Sequence, residues 1–319
     1  MSSIMTNNSA MNALSTLRNI NTNLNTTQSR ISTGLQISSG KDNAAYFNIS
    51  ETMKGDSASY TAINDGLTLT KNSVATARLG AESFQELAQQ FVERVSFAQG
   101  ATGGLEDIQT ELDSLVKQMT NTIQSSTFNG DDMVNATNAG SVANAAVDAS
   151  TGVLTSATAD AGYTAPADRS VVTGITRTAS GITATKMDIG TVDLSAMLAD
   201  FTAIASSFAT NGANTTDNGS GGTVGADYLA GVLSSSESVL SRATEAATSL
   251  GVSEKSIENQ QEFLTQLSDN IDTGVGAMVD ANMEEEAARL QALQVQQQLA
   301  TQSLSIANQA PQNLLSLFQ

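Results

Sequence analysis

The sequence contains few residue clusters that could carry chemistry, and a glycine-rich stretch is the first of them. Residues 34–42 read GLQISSGKD and resemble a phosphate-binding loop, in which a glycine-rich turn precedes a lysine. Gly34 is one residue too far from Gly40 and Lys41, and Asp42 stands where the motif requires Ser or Thr. Nucleotide binding is therefore not predicted.

Two acidic runs are the other candidates for acid–base or cation chemistry, Asp131-Asp132 and residues 284–286, which are all Glu. Runs of this kind are more often solvated faces or charges at a helix N-terminus. The chain has no His and no Cys, which removes the commonest general base, thiolate nucleophiles and the commonest zinc ligands. The sequence therefore predicts no catalytic residues, no metal site, no cofactor and no enzyme.

Composition restricts the partners and the packing of the chain. A formal net charge of −18 over 319 residues argues against nucleic-acid binding, which needs clustered Lys and Arg. Nine Phe, four Tyr and no Trp favour long, thin helical packing over a thick aromatic core. No window has the apolar length of a membrane span or of a secretory signal, so composition alone predicts a cytoplasmic protein without membrane contact.

The charges are distributed unevenly, because both ends of the chain are nearly free of them. Residues 290–319 contain no charged side chain, and residues 1–40 contain only Arg18 and Arg30. A helix on a free surface normally keeps charges on its outer face, so these segments are predicted to be buried on several sides in an assembly. Gln in place of charge avoids the desolvation penalty of an ion. The predicted self-assembly interface consists of Ile4, Met11, Leu14, Leu17, Ile20, Leu24, Ile31, Leu35, Leu290, Leu293, Leu299, Leu304, Leu314, Leu315, Leu317 and Phe318. Whether Pro311 ends or kinks the last helix stays open.

Heptad spacing predicts the helices that follow the first segment. Asp42 is placed to cap a short helix over residues 43–53, with Gly55 as its stop. From residue 60 to residue 98 the apolar positions alternate by three and four, as in a coiled-coil seam. After a glycine-rich break, residues 105–119 repeat this spacing and predict an antiparallel partner helix.

The middle of the chain predicts a small mixed domain, and helical periodicity returns after it. Asn129-Gly130 is a turn signal that predicts a β-hairpin. Short strands are predicted over residues 170–176, 182–187 and 191–194, and a helix over 196–209, followed by a loop over 211–225. From residue 227 a heptad ladder predicts a helix of roughly 45 residues, loosened near its end by Gly274 and Gly276, before a final segment that begins near Val279.

The two ends resemble bacterial flagellin. The matching residues are 30–35 (RISTGL), Ile37, Ser39, Lys41-Asp42, Ala44-Ala45, Ile49, 64–66 (NDG), 128–130 (FNG), 307–309 (ANQ), 311–313 (PQN) and 315–317 (LSL). The resemblance covers about 135 residues at the front and about 90 at the back, and the middle matches no family motif. The chain is therefore predicted to be mainly α, a long coiled-coil-like helical rod built from both chain ends with a small mixed α+β central insert domain.

The resemblance implies a structural subunit that polymerises into the flagellar filament for swimming motility. It implies a terminal inner-tube domain (1–44 and 280–319), a helical shaft (45–135 and 227–279) and a variable outer domain (136–226). It also implies termini that fold on assembly and export by the flagellar type III system without a cleaved signal peptide, which overturns the cytoplasmic expectation. The implied partners are further copies of the chain, an export chaperone, and the hook-junction and cap proteins.

Two further partners implied by the resemblance are host immune receptors. The family's footprint for the animal receptor follows the pattern Leu-Gln-Arg-x-Arg-Glu-Leu, whereas residues 89–97 (QQFVERVSF) keep little of it beyond Glu93. This departure counts against recognition by the animal receptor. Residues 29–50 resemble the peptide that plant receptors sense, with Tyr46 and Phe47 in place of smaller or aliphatic residues.

Other functions fit the sequence less well. A hook–filament junction protein shares such termini and is the alternative within flagellar proteins. A flagellin with a metalloprotease insert is excluded because an HExxH site needs His. An acidic helical adhesin would not need charge-free ends.

Overall fold

A computed structural model describes residues 7–101, 103–134, 145–159, 165–178, 181–217 and 222–317. Within these residues most of the backbone is helical, and the strands are short or confined to one hairpin. The prediction of a mainly helical chain with a small mixed insert is confirmed. The helices are α1 (Asn8–Thr33), α2 (Ala44–Ala98), α3 (Leu105–Ser125), α4 (Leu194–Ser206), α5 (Phe208–Gly212), α6 (Val224–Val279) and α7 (Met283–Leu317).

The chain divides into two compact units, Met1–Ala58 with Leu267–Gln319, and Ser59–Gln266. Helices α2 and α6 contribute residues to both units. The first unit contains α1 and α7, and the second contains α3 and the insert. The division into tube, shaft and outer domain stays a prediction.

The start of α2 corrects the predicted short helix. The side chain of Asn43, and not that of Asp42, caps the helix by accepting hydrogen bonds from the backbone N–H groups of Ala45 and Tyr46 at 3.1 and 3.3 Å. Gly55 lies inside α2 and does not end it. A single glycine costs a helix only about 1 kcal/mol, and packing against α6 continues past it, where Ser57 Oγ donates to Asp272 Oδ1 at 2.9 Å.

Asp42 organises the turn before α2 instead. Its Oδ2 accepts hydrogen bonds from the backbone N–H groups of Ser38 and Ser39 at 3.1 and 3.0 Å, and from both serine hydroxyls. These donors, the Ser38 backbone first, lower the pKa of the Asp42 carboxyl below its ordinary value. The residue therefore stays ionised and stabilises a turn, which is a different role from the predicted cap.

The predicted seam of the second helix is confirmed. From Leu67 to Ala98 its heptad positions are buried, and they pack against α3 and α6 in one continuous apolar core. Helix α3 is antiparallel to α2, since Arg94 pairs with Glu111 at 3.2 Å while Ser126, after α3, lies against Gly80. Gly80 is required there because a Cβ would fall 1.9 Å from the Ser126 hydroxyl oxygen.

Six short strands pair in three antiparallel hairpins among the described residues. The strands are β1 (Thr127–Phe128), β2 (Asp131–Asp132), β3 (Ala146–Val147), β4 (Leu154–Thr155), β5 (Arg169–Thr178) and β6 (Gly181–Ile189). The Asn129-Gly130 turn joins β1 and β2 with φ of 51° and 80°, as the sequence predicts. Strand β5 pairs with β6 from Arg169 opposite Ile189 to Thr178 opposite Gly181, with an irregularity between Val172 and Gly174.

Two predictions for the insert and one for the long helix after it are wrong in detail. Residues 191–194 are not a strand, because Asp193 caps α4 by accepting from the Ala196 N–H at 3.0 Å. The helix predicted over 196–209 breaks at Ser207 into α4 and α5, although Phe201, Ile204 and Phe208 are buried as expected. The return helix α6 begins at Val224 and runs through both Gly274 and Gly276 to Val279.

The insert packs onto the same core as the long helices of its unit. Phe201 of α4 lies against Phe91 and Phe84 of α2, with ring centroids 4.7 and 6.1 Å apart. Gly152 and Gly231 allow backbone to touch backbone, since a Cβ at either would lie about 2 Å from a carbonyl oxygen. The insert is therefore held by close packing on α2 and α6.

A buried ion pair fixes the insert to α6. Asp200 is completely buried, and its carboxylate pairs with Arg242 of α6. The same carboxylate accepts from Ser156 Oγ and from the Ala157 N–H, both at 2.7 Å. The charge of Asp200 is thus fully hydrogen-bonded, as burial of a carboxylate requires.

Removing the arginine tests this anchor. We expect Arg242→Ala to lower the free energy of unfolding by about 3 kcal/mol, because it leaves a buried carboxylate without its cation. Urea unfolding followed by circular dichroism measures the change. The matched control is Arg94→Ala, which breaks an exposed pair and is expected to cost about 0.5 kcal/mol or less. Equal losses for the two variants would contradict the assignment.

A second ion cluster predicts how stability depends on pH. Lys71 of α2 lies 2.9 Å from Glu258 of α6, and Lys255 lies 3.1 Å from it. The hydrogen bond from Lys71, followed by that from Lys255, lowers the pKa of Glu258 below its ordinary value. A lowered folded-state pKa contributes stability that is complete above the unfolded-state pKa, about 4.3 for Glu, and is lost as pH falls through the folded-state value.

We therefore expect Lys71→Met to reduce the loss of melting temperature between about pH 6 and about pH 3, which lie on either side of the pKa of Glu. Thermal unfolding at a series of pH values measures the effect. Lys54→Met is the control, because Lys54 pairs only locally with the exposed Glu51 at 3.1 Å. A Lys71 variant with the same acid sensitivity as the wild type would disprove the linkage.

Candidate self-assembly interface

Helices α1 and α7 pack against each other in antiparallel orientation. Asn7 Nδ2 donates to the Ala307 carbonyl at 2.7 Å, and Gln297 Nε2 donates to Asn21 Oδ1 at 2.7 Å. Amide side chains thus form contacts that charged residues would form in an ordinary surface pair. Both charge-poor ends of the chain are thus brought together in one pair of helices.

The apolar seam between the two helices is thin. Ile20, Leu24 and Leu293 are its buried apolar residues, each still 8–9% exposed. Leu290 and Ala300 are partly buried beside them. Burial of a large aliphatic side chain contributes about 1.5–3 kcal/mol, so this seam contributes little stability for two helices of this length.

Three charged residues lie at the base of the pair. Glu286 of α7 is 5% exposed, and its Oε1 accepts from Arg30 of α1 at 3.2 Å and from Arg289 at 3.3 Å. Its Oε2 has no hydrogen-bond partner among the described residues. The acidic run at residues 284–286 is therefore partly structural, because its last member joins α7 to α1.

A short backbone clasp joins the two connections between helices, one from α1 to α2 and the other from α6 to α7. The N–H of Gln36 donates to the Val279 carbonyl at 2.7 Å, and the N–H of Ala281 donates to the Gly34 carbonyl at 2.8 Å. Leu35 and Asp280 form an antiparallel bridge between these bonds. Gly34 ends α1 with φ of 74°, a conformation that favours glycine.

The structure divides the predicted interface residues into groups. Those fully or partly buried in the described unit are Leu17, Ile20, Leu24, Ile31, Leu35, Leu290, Leu293 and Leu304. Met11, Leu14 and Leu299 are exposed, at 62%, 38% and 58%. Helix α7 continues past Pro311 to Leu317, so the proline does not end the helix, and the helix includes Leu314, Leu315 and Leu317. Ile4 and Phe318 lie outside the described residues.

Helix α7 has a second apolar face, of which the sequence analysis named Leu299 but missed the other two residues. Val295, Leu299 and Ile306 are exposed, at 55%, 58% and 70%. They follow each other at intervals of four and seven residues, and Val295 is two residues from the buried Leu293, which places this face away from α1. Exposed Ala288 and Ala292 extend the same spacing towards the start of the helix. The spacing of these apolar residues in the sequence could have revealed the face, because it forms a second heptad stripe beside that of Leu290 and Leu293.

The described residues contain no group of three or more acidic, His or Cys side chains placed to hold a metal ion. None of the described helices combines the length and the apolar character needed to cross a bilayer. What the geometry does provide is a pair of charge-poor helices with apolar side chains directed away from their mutual seam. Exposed apolar side chains on charge-poor helices are typical of a surface that contacts another protein.

Comparison with known proteins identifies the family. Residues 4–139 match the family model of the bacterial flagellin N-terminal helical region, and residues 233–318 match that of the C-terminal helical region. Flagellin of Brucella melitensis biotype 1 is 32% identical and flagellin C of Rhizobium meliloti strain 1021 is 34% identical. Flagellin A of Rhizobium meliloti is 33% identical, and each alignment covers 100% of both chains.

The chain therefore belongs to the bacterial flagellin family and is a structural subunit of the flagellar filament. The comparisons do not favour the hook–filament junction protein that the sequence left as an alternative. The N-terminal match includes α1, and the C-terminal match includes its partner α7.

The contact between Arg30 and Glu286 generates a prediction. We expect Arg30→Ala to speed amide hydrogen exchange of α1 in assembled filaments by roughly tenfold, since a hydrogen bond to a charged group contributes about 1.5–3 kcal/mol. Mass spectrometry of sedimented filaments measures the exchange. Arg18→Ala, at an exposed position of the same helix, is the matched control. Identical exchange in the two variants would count against the role of the ion pair.

Proposed function

We propose that the pair of helices α1 and α7 is the surface through which copies of the chain polymerise. The single observation that carries this proposal is the second apolar face of α7, formed by Val295, Leu299 and Ile306. Helix α7 has no charged side chain from Leu290 onwards, so none of its own charges beside this face would have to be desolvated when a partner covers it. A neighbouring copy that covers the face removes its apolar side chains from water.

The partner of this face is another copy of the same chain. Contacts between different surfaces of identical subunits form a ring if the rotation between neighbours closes, and an open helical polymer if it does not. Met11 and Leu14 on α1 provide further exposed apolar surface for such contacts. The thin seam between α1 and α7 supports the expectation that the terminal helices become ordered on assembly, when neighbouring copies supply the missing burial.

The three-part division of the chain is part of the proposal. The inner tube comprises residues 1–44 and 280–319, the shaft residues 45–135 and 227–279, and the outer domain residues 136–226. The family models support this division, because they match residues 4–139 and 233–318 and leave most of the middle unmatched. The insert, which lies in that middle part, is then the portion free to vary between relatives.

Export and partners follow from family membership and are proposed on that ground alone. The chain is an extracellular filament protein. We propose that it leaves the cell by the flagellar type III route without cleavage of a signal peptide. An export chaperone, the cap and the hook-junction proteins are its proposed partners, and residues 29–50 are the proposed site for plant receptors. Residues 89–97 are proposed not to support the animal receptor.

No enzymatic activity is proposed. The family is structural, and the chain lacks the His and Cys that most hydrolytic and thiol mechanisms need. Its buried ionisable residues Asp200 and Glu286 are engaged in ion pairs that hold helices and insert together. Contacts within the chain therefore account for these two buried carboxylates.

A single substitution on the exposed face tests polymerisation. We expect Ile306→Asp to raise the concentration of unpolymerised protein by about a hundredfold or more, since it replaces about 2 kcal/mol of apolar burial with the desolvation cost of a charge. Seeded polymerisation followed by sedimentation measures this concentration. Electron microscopy of the pellet establishes that the sedimented material is filamentous.

Two controls separate the face from general damage. Ile306→Val keeps the position apolar, so it is expected to polymerise far better than Ile306→Asp. Circular dichroism of the unpolymerised variants should show equal helicity. Normal filaments from Ile306→Asp would refute the proposed interface, while the failure of the wild type to polymerise would refute the function itself.

A further inference from the structure

The methionines of the chain differ strongly in exposure. Among the described residues, Met119 and Met133 are buried in the core at 0% and 2% exposure, whereas Met11 is 62% exposed and Met283 is 46% exposed. Methionine oxidation depends on access of the oxidant to the thioether sulfur. Met11 is therefore the described methionine most open to an oxidant before assembly.

Met11 lies on the outer side of α1. It precedes the buried Ile20 by nine residues, which corresponds to half a turn of an α-helix beyond two full turns. Its side chain therefore faces away from α7, where Leu14 continues the exposed apolar surface one turn later. On the same side, Arg18 is two turns away, too far to hydrogen-bond to a group at position 11.

From this placement we propose that Met11 is an oxidation site and that its oxidation prevents the subunit from joining a polymer. The inference rests on the proposed function, because it requires that a neighbouring copy cover the outer face of α1. The reactant is a two-electron oxidant, represented here by hydrogen peroxide. The sulfur lone pair attacks one peroxide oxygen, the O–O bond breaks, that oxygen stays on sulfur as sulfoxide, and water leaves.

The physical consequence follows from the change of the side chain. A thioether is flexible and apolar and packs readily in an interface, whereas a sulfoxide is polar and accepts hydrogen bonds strongly. In the free chain, water solvates the sulfoxide and the exposed position tolerates it. In an assembled, charge-poor interface the same oxygen loses its water, and the nearest donors on its own helix are the uncharged side chains of Asn8 and Ser15, one turn away on either side.

The order of events then determines the outcome. A subunit that meets the oxidant before assembly carries the sulfoxide and is rejected. A subunit already in a polymer has Met11 covered, so the oxidant reaches it slowly. Oxidation thus acts on newly supplied subunits and spares the existing polymer, and enzymatic reduction of the sulfoxide restores the subunit.

The experiment treats the full-length chain with hydrogen peroxide before seeded polymerisation, and each variant is compared with its own untreated sample. Peptide mass mapping reports which methionines gained oxygen. We expect treatment to lower the sedimented fraction of the wild type by about tenfold, and that of Met11→Leu by less than about twofold. Met283→Leu is the matched control and should lose polymerisation as the wild type does. Treatment of the oxidised wild type with methionine sulfoxide reductase should restore it.

A second arm treats preformed filaments. Met11 should be oxidised at least about tenfold more slowly there than in the unpolymerised chain, because access to its sulfur is lost. Equal rates would overturn the proposal, as would normal polymerisation of chains shown to carry sulfoxide at Met11. Equal sensitivity of Met11→Leu and the wild type would also overturn it. If the untreated wild type does not polymerise, the proposed function fails first, which distinguishes the two failures.

Discussion

The shortage of apolar contact between α1 and α7 determines how the terminal unit of this chain behaves. Among the residues that the structure describes, two long helices meet through a seam whose buried apolar side chains are Ile20, Leu24 and Leu293, and amide hydrogen bonds add to it. Ordering helices of this length costs more conformational entropy than such a seam can offset. Additional contacts would therefore stabilise the pair, and the exposed residues of α7 are the surface that we propose for them.

The unit formed by residues 59–266 follows the opposite rule. Helices α2, α3 and α6 bury a continuous row of heptad positions, and the insert adds Phe201, Ile204 and Phe208 to the same core. Here the charges are plentiful, and among the described residues of this unit Asp200, which pairs with Arg242 and holds the insert, is the buried one. One chain thus combines a part with a large continuous apolar core and a part with a small apolar cluster, and the second part has far fewer charges near the chain ends.

Much of this arrangement could be predicted from the sequence, because a helix with a regular apolar seam is visible in the heptad spacing of its apolar residues. The seam over residues 60–98 and the Asn129-Gly130 hairpin depend on local pattern, and both are confirmed. Gly55 was misread as a stop because a local signal takes no account of packing against α6. Contacts such as Arg30 with Glu286, which lie far apart in sequence, leave no local pattern. Val295 and Ile306 were overlooked because the first apolar stripe already explained a helix.

The clasp between residues 34–37 and 279–281 has a mechanical consequence. A filament that turns in a viscous fluid transmits torque and tension through its subunits, and within this unit the polypeptide passes from terminal to longer helices twice. One connection, residues 34–43, is long, and the other, residues 280–282, is short. Without a cross-link, the shorter connection would be fully extended first and would carry the whole load. The backbone hydrogen bonds between Gly34, Gln36, Val279 and Ala281 tie the two connections together, so that strain is shared between them.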